Sequence, residues 1–150
     1  MRKNNKNIFL VLVISFFIVI ILALFLKTNS ISGSQSSDKN QLIVGRKLSE
    51  NYYEFSSQNF KNAVSSGKVV LFFATNWCST CTQLDRELLK ESERLDNGIT
   101  VLKIDFDKET NLKRDYKVLT QHTLVQVDEK GEEITKWVGG DLEDINQNVK

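Results

Sequence analysis

Hydrophobic and polar residues follow two different periods along residues 42–150 of the chain. The nearly continuous apolar run from Lys68 to Ala74 is typical of a central strand that is covered on both faces. Thr100 to Phe106 predicts a second buried strand. Between the two strands, leucines recur at helical spacing with charged residues among them, which predicts a helix from Cys78 that ends at Asn97-Gly98. These leucines are Leu84, Leu88, Leu89 and Leu95.

Shorter elements lie on either side of this unit, and each is marked by a turn or capping residue. Ser56 or Ser57 can cap a helix that ends at Gly67, and Asp141 can cap a last helix after Gly139-Gly140. The remaining segments are strands at 52–55, 123–128 and 133–138, the last two forming a hairpin around 129–131, and a short helix at 109–115. The order βαβαβαββα predicts an α/β fold, a mixed sheet with helices on both faces.

The longest apolar run lies outside this pattern, at residues 8–26, where Ser15 is the only polar residue. A helix of this length can cross the hydrocarbon core of a bilayer. The basic residues of segment 1–7 precede the run, so the positive-inside rule predicts a cytoplasmic N-terminus and a single-pass anchor in the cell membrane. Residues 27–41 are then a flexible linker, and residues 42–150 form one extracytoplasmic domain. A cleaved signal peptide is the alternative, with Ser30-Ile31-Ser32 as a weak cleavage site.

Charge excludes one class of partner. The chain of 150 residues has 20 Lys and Arg against 19 Asp and Glu, and residues 42–150 hold 15 basic and 18 acidic residues. Such a balance provides no basic surface for nucleic acid. No nucleic-acid partner is therefore expected.

The only two cysteines, Cys78 and Cys81, stand in the stretch NWCSTC. Cys78 follows a buried strand and opens a helix, where free backbone N–H groups and the helix dipole stabilise a thiolate. Cys81 lies one turn deeper on the same face, close enough to attack a mixed disulfide at Cys78. Trp77 is predicted to act as a lid that offers apolar surface to a bound peptide.

Other functions of the two cysteines fit the sequence less well. A closed zinc site needs four ligands, and His122 is the only histidine. Haem attachment requires a histidine directly after the second cysteine, where this chain has Thr82. A structural disulfide would close too short a loop to constrain the unfolded chain strongly. A C-x-x-C beside a βαβ pattern indicates a reversible redox pair, without cofactor or metal.

The chain resembles the thioredoxin superfamily over roughly residues 50–149. The resemblance rests on FFATNWCSTC, the strand end TVLKIDFD, the Tyr116-Lys117-Val118 step before TLVQVD, and the Gly139-Gly140 break before the last helix. With the anchor, it is similar to the membrane-anchored thiol:disulfide oxidoreductases of bacterial envelopes. The resemblance implies a thioredoxin-like domain in which Cys78 attacks and Cys81 resolves. The implied partners are protein thiols and disulfides and, for a reductase, a membrane electron carrier.

Two departures from the family pattern change the expected site. The family's cis-proline position holds His122, so we expect a trans peptide and a reshaped loop in which Gln121, His122 and Thr123 shape the substrate site. The buried acid of many members is replaced by Phe72, which leaves deprotonation of Cys81 to water, His122 or the substrate. His122 is then expected near the cysteines, where it would stabilise a thiolate or accept a proton, or else it is an exposed loop residue without a role.

Two further functions remain open at this stage. Thiolates from Cys78 and Cys81 with the imidazole of His122 would suit a copper(I)-handling protein. The second possible function is that of a binding module with the same fold and no redox activity. Asp105 and Asp107 are interpreted as the end of a strand rather than as metal ligands.

Overall fold

A computed structural model describes residues 45–150 of the chain. The predicted N-terminal segment 1–7, the anchor 8–26 and the linker 27–41 lie outside the described residues. Within residues 45–150, no helix has the length and apolar character needed to cross a membrane.

A mixed sheet of six strands forms the centre of the described residues. Its strands are β1 (Lys47–Ser49), β2 (Tyr52–Glu54), β3 (Lys68–Ala74), β4 (Ile99–Asp105), β5 (Thr123–Val127) and β6 (Glu133–Val138). They lie in the order β1-β2-β4-β3-β5-β6. Strands β2, β4 and β3 are parallel, whereas β1, β5 and β6 pair antiparallel to their neighbours. The predicted mixed sheet is confirmed, and the apolar strand β3 is central in it.

Helices cover both faces of this sheet, as predicted. They are α1 (Ser57–Ser66), α2 (Ser79–Glu91), α3 (Thr110–Asp115) and α4 (Leu142–Asn148). Because side chains alternate along β3, Phe72 and its alternate neighbours pack with residues of α2 and α4, whereas Phe73 and its alternate neighbours pack with residues of α1 and α3. Both cysteines belong to the Phe72 side of the core.

Two details differ from the predicted elements. Strand β1 was not predicted, because it has only three residues and no fully buried position that would mark one face. Helix α2 ends at Glu91 rather than near Asn97, and a 3-10 turn, Ser92–Arg94, follows it. The Ser49 hydroxyl donates to the Leu88 carbonyl at 2.6 Å and lies 2.9 Å from the buried Ser92 hydroxyl. These bonds hold the end of the helix against β1, so the polar Ser92 turns inward where the helical pattern predicted continuation.

Candidate functional site

Cys78 occupies the N-cap of α2, directly after the loop that leaves β3. Its sulfur accepts a hydrogen bond from the backbone N–H of Cys81 at 3.2 Å, and the hydroxyl of Thr80 lies 3.3 Å away. The side chain is 8% exposed. The predicted position at the beginning of a helix is therefore the observed one, and the cap bond that Ser or Asp usually supplies is made here by sulfur.

The surroundings of Cys78 favour its thiolate. Burial opposes ionisation, but hydrogen bonds from the side chain of Cys81, the side chain of Thr80 and the amides of both residues outweigh it. The pKa of Cys78 is consequently lowered from its usual value. A lowered thiol pKa is what a nucleophile in disulfide exchange requires.

Cys81 lies one turn deeper and has the opposite character. It is 1% exposed. Burial, together with the hydrogen bond and the charge of Cys78, raises the pKa of Cys81 to about 11. Both cysteines are free thiols in this structure, and their sulfurs lie within 4.8 Å of each other. One sulfur is therefore prepared for ionisation, and its neighbour holds a proton.

His122 lies beside this pair, in the loop before β5. One of its ring nitrogens is within 4.8 Å of both sulfurs. The residue is 4% exposed, so the alternative of an exposed loop histidine is wrong. Its φ of 56° is in the left-handed region, where histidine occurs more often than most residues. No peptide bond in residues 45–150 is cis, in agreement with the trans bond expected here.

The backbone of His122 is held on both sides, but its ring is not. The backbone N–H donates to the Phe73 carbonyl at 2.8 Å, and the carbonyl accepts from Gly139 at 2.8 Å. The ring packs 5.6 Å from the ring of Phe72, centroid to centroid. Neither ring nitrogen has a hydrogen-bond partner among the described residues. Burial lowers the pKa of His122 and outweighs the nearby backbone of Gly140, which acts in the opposite direction without making a well-formed hydrogen bond, so the imidazole is neutral near pH 7. Of the two predicted roles, stabilising a thiolate as a cation is therefore the less suited to this ring.

Gln121 and Thr123 lie on either side of His122 and differ in accessibility. Gln121 is half-buried, and Thr123 is buried with its hydroxyl donating to the Thr120 carbonyl at 2.7 Å. Gln121, His122 and Cys78 line one groove of about 420 Å³, together with Gly139 and Gly140. Gln121 is therefore the loop residue best placed to meet a substrate, whereas Thr123 holds the loop in shape.

Trp77 lines a second groove, which neither cysteine lines. Its side chain is 65% exposed, and the indole N–H donates to Asp107 at 3.0 Å. The same Asp107 oxygen accepts from the Thr75 hydroxyl at 2.8 Å. Asp107 is thus more than the end of a strand, since it fixes the tryptophan beside the site. The predicted contact of Trp77 with a substrate stays a prediction.

A polar group that the sequence analysis missed is Asp85, one helical turn beyond Cys81. Its carboxylate accepts from the Tyr52 hydroxyl at 2.5 Å and from the Lys103 ammonium at 2.7 Å. Burial, this hydrogen bond, and the charges of Asp85 and Cys81 raise the pKa of Tyr52. Phe72 does leave β3 without a carboxylate, as expected, but Asp85 supplies one from helix α2.

Comparison with known proteins agrees with this geometry. The family model described as Thioredoxin matches residues 51–150. A thioredoxin of Chlamydia trachomatis serovar D is 30% identical over 95 residues, which cover 63% of this chain and 89% of that protein. A thioredoxin of Chlamydia pneumoniae is 31% identical over 84 residues, covering 56% and 80% of the two chains. The solved structure of a mutant thioredoxin from Halobacterium salinarum has a TM-score of 0.55 at 23% identity, covering 69% of this chain and 90% of that one.

Proposed function

Because this chain belongs to the thioredoxin family of thiol:disulfide oxidoreductases, we propose that it exchanges disulfides with protein substrates while tethered to the outer side of the cell membrane. One observation carries the redox part of this proposal. Two free sulfurs within 4.8 Å of each other begin helix α2, and the pKa of Cys78 is lowered while that of Cys81 is raised. The pair therefore consists of a nucleophile and a thiol kept in reserve.

In the first step, the Cys78 thiolate attacks one sulfur of a substrate disulfide. A bond forms between Cys78 and that sulfur, the substrate S–S bond breaks, and the other substrate sulfur leaves as a thiolate that takes up a proton from water. The groove lined by Cys78 and Gln121 gives the substrate access. Because both backbone groups of His122 bond within the protein, we expect Gln121 rather than His122 to meet the substrate chain.

In the second step, Cys81 gives its proton to water and attacks the sulfur of Cys78. Part of the rise in the pKa of Cys81 comes from the hydrogen bond and the charge of Cys78. Both are removed once Cys78 is bonded to the substrate, so formation of the mixed disulfide itself makes Cys81 easier to ionise. The attack forms the Cys78–Cys81 disulfide and releases the second substrate thiolate. Two electrons have then passed from the protein to the substrate.

The tether and the location rest on the sequence outside the described residues. The apolar run 8–26 follows the basic residues of segment 1–7, which favours an anchor with the domain outside the cytoplasm. An oxidising compartment would hold the pair as a disulfide, so a reductase there needs a membrane electron-transfer partner. The same steps run in reverse if the partner is an oxidant.

Trapping of mixed disulfides tests the exchange. In cells that express the Cys81→Ser variant, we expect substrates to stay bonded to Cys78 and to appear as covalent complexes that a reductant separates. Cys78→Ser is the matched control and should trap nothing. Equal trapping by both variants, or by neither, would contradict the assignment of Cys78 as nucleophile.

A separate measurement tests the location. The full chain should stay in the membrane fraction after a carbonate wash, and Cys78 in intact cells that have first been treated with a reductant should react with a maleimide that does not cross the membrane. Release of the chain by the wash would refute the anchor, and protection of Cys78 until the cells are opened would refute the outward orientation. Neither result would affect the redox assignment.

A further inference from the structure

The orphaned ring of His122 beside two thiols is the least explained feature of the described residues. Buried polar atoms nearly always have a partner, and an exception calls for an explanation. Both ring nitrogens of His122 lack one among residues 45–150, although the residue is 4% exposed. The disulfide exchange described above makes no use of this ring. Something with affinity for an imidazole nitrogen is therefore a candidate partner.

The distances around this ring fit a metal ion. One ring nitrogen of His122 and the sulfurs of Cys78 and Cys81 all lie within 4.8 Å of one another. Bonds of about 2.0–2.3 Å from one ion place three ligands in a plane about 4 Å apart. Closing the group onto an ion therefore needs side-chain movements of under about 1 Å. The backbone bonds of His122 to Phe73 and Gly139 fix the position of its Cα, so that only its side-chain torsions need to change.

The chemical nature of the donor atoms determines which metal ion the group prefers. Thiolate sulfur selects soft ions such as Cu(I), and imidazole accepts copper as well. Structural zinc takes four protein ligands, and the described residues bring only these three together, so zinc here would need water as its fourth ligand. Asp141 and Asp144 line the same groove, but each carboxylate accepts the backbone N–H of the other at the start of α4. An ion that accepts three ligands, as Cu(I) does, needs no further donor at this buried position.

We propose that Cys78, Cys81 and His122 form a Cu(I) site that exists only in the reduced protein. Binding displaces the two thiol protons to water, forms two Cu–S bonds and one Cu–N bond, and transfers no electron. When a substrate disulfide oxidises the pair, the substrate takes two protons from water and is reduced to two thiols, the sulfurs of Cys78 and Cys81 bond to each other, and the ion leaves as Cu(I). Copper and substrate therefore compete for the same sulfurs. The competition, though not the binding, rests on the exchange proposed above.

The groove gives such an ion a way in. Cys78 is the more exposed of the two sulfurs, and it opens onto the groove of about 420 Å³ that His122 also lines. An ion carried by another molecule could then pass to Cys78 first and to the buried Cys81 and His122 afterwards. The site would hold copper under the surface and out of contact with most of the solvent.

The test is a competition titration of the reduced full chain in detergent, without oxygen, against a coloured Cu(I) chelator. We expect one Cu(I) per reduced chain and none per oxidised chain. His122→Ala should weaken binding at least about tenfold, since changes even behind a metal ligand weaken affinity by that much. Gln83→Ala, on the rim of the same groove, is the matched control and should bind as the wild type does.

X-ray absorption of the loaded chain supplies a readout that a folding defect does not imitate. We expect two sulfurs and one nitrogen around copper in the wild type, and the loss of the nitrogen in His122→Ala. Unchanged affinity and an unchanged spectrum in His122→Ala would overturn the proposal, as would failure of the reduced wild type to take Cu(I) from the chelator.

Reduction of a protein disulfide, assayed on the same samples, separates this inference from the proposed function. Active protein that takes up no copper refutes only the copper site. Protein that binds copper but reduces no disulfide refutes only the exchange. If both hold, one equivalent of Cu(I) should inhibit the wild type, and activity should return when the chelator is in excess. Full activity with copper bound would overturn the competition.

Discussion

Two polar groups of the cysteine region, one on helix α2 and one in the loop before β5, differ in their hydrogen bonding. Asp85 on α2 is fully partnered, since its carboxylate accepts from Tyr52 and from Lys103. His122, in the loop before β5, is more deeply buried and yet has no partner for either ring nitrogen among residues 45–150. Depth does not explain the contrast, because the more deeply buried of the two groups is the one without partners.

The contrast indicates that Asp85 stabilises the fold, whereas His122 remains available to bind a ligand. A buried polar group with its hydrogen bonds made helps to specify a single packing arrangement, whereas one without them keeps its desolvation cost until a ligand arrives. The partnered network fastens α2 to strands β2 and β4 behind the cysteines. The orphaned ring stands on the side of the groove, where a ligand or substrate can enter.

Removing the carboxylate of Asp85 should have the largest effect. In Asp85→Ala, the fully buried Tyr52 hydroxyl loses its acceptor, and the Lys103 ammonium loses its counter-charge. We expect the free energy of unfolding to fall by about 2 kcal/mol, mainly from the hydroxyl. The Lys103 side chain is 26% exposed and can be rehydrated, which limits its share. Urea unfolding of the reduced protein measures the loss.

Glu93→Ala is the matched control for this change. Glu93 is an exposed acid near the end of the same helical segment, so its removal should alter stability by no more than about 0.5 kcal/mol. If Asp85→Ala were as mild as the control, the network would contribute nothing to the fold.

A smaller loss is expected from Tyr52→Phe. The ring stays packed in the core, and Asp85 keeps its ion pair with Lys103, so only one hydrogen bond is removed. The expected loss is about 1 kcal/mol. In the double variant the two losses should not add, because both act on the same bond. Additive losses would mean that Tyr52 and Asp85 stabilise the protein independently.

Most of the fold could be predicted from the sequence because apolar residues run continuously in the buried strands and recur at helical spacing in the amphipathic helices. The apolar run of β3 and the leucines of α2 were sufficient to place the two cysteines at the start of a helix. Strand β1 and the early end of α2 could not be predicted, because both depend on the Ser49 hydroxyl meeting Leu88 and Ser92 about 40 residues away.

The same limit applies to the site. C-x-x-C spacing predicted the pair, but Asp85 meets partners 33 and 18 residues distant, which depend on strand pairing. A signal was present in the sequence, since Asp85 lies on the apolar face of α2 and Lys103 stands between the apolar residues Leu102 and Ile104. The orphaned state of His122 had no such signal, because it follows from what the surrounding residues fail to offer.

Next in size is an effect on the nucleophile itself. Thr80→Val keeps the volume of the side chain but removes the hydroxyl that lies 3.3 Å from the Cys78 sulfur. Since that contact helps to lower the pKa of Cys78, we expect its pKa to rise. The rate of Cys78 alkylation as a function of pH, followed by peptide mass spectrometry, gives the value. Ser79→Ala, the neighbouring exposed residue, is the control. Equal pH profiles of Cys78 alkylation for the two variants would show that Thr80 does not lower the pKa of Cys78.

The smallest effect should be the pH dependence of stability from His122. Burial lowers its pKa in the folded protein, whereas the unfolded chain keeps the usual value of about 6.5. As the pH falls below that value, the unfolded chain takes up a proton that the folded chain resists, so the free energy of unfolding decreases; above it the contribution is constant. His122→Asn removes the titration and tolerates the left-handed backbone. His122 is the only histidine. The free energy of unfolding of the metal-free, reduced protein, measured with urea, should therefore fall more steeply from pH 7.5 to 5.5 for the wild type than for this variant. Parallel curves would show that the ring has found a partner in solution, and the contrast with Asp85 would then disappear.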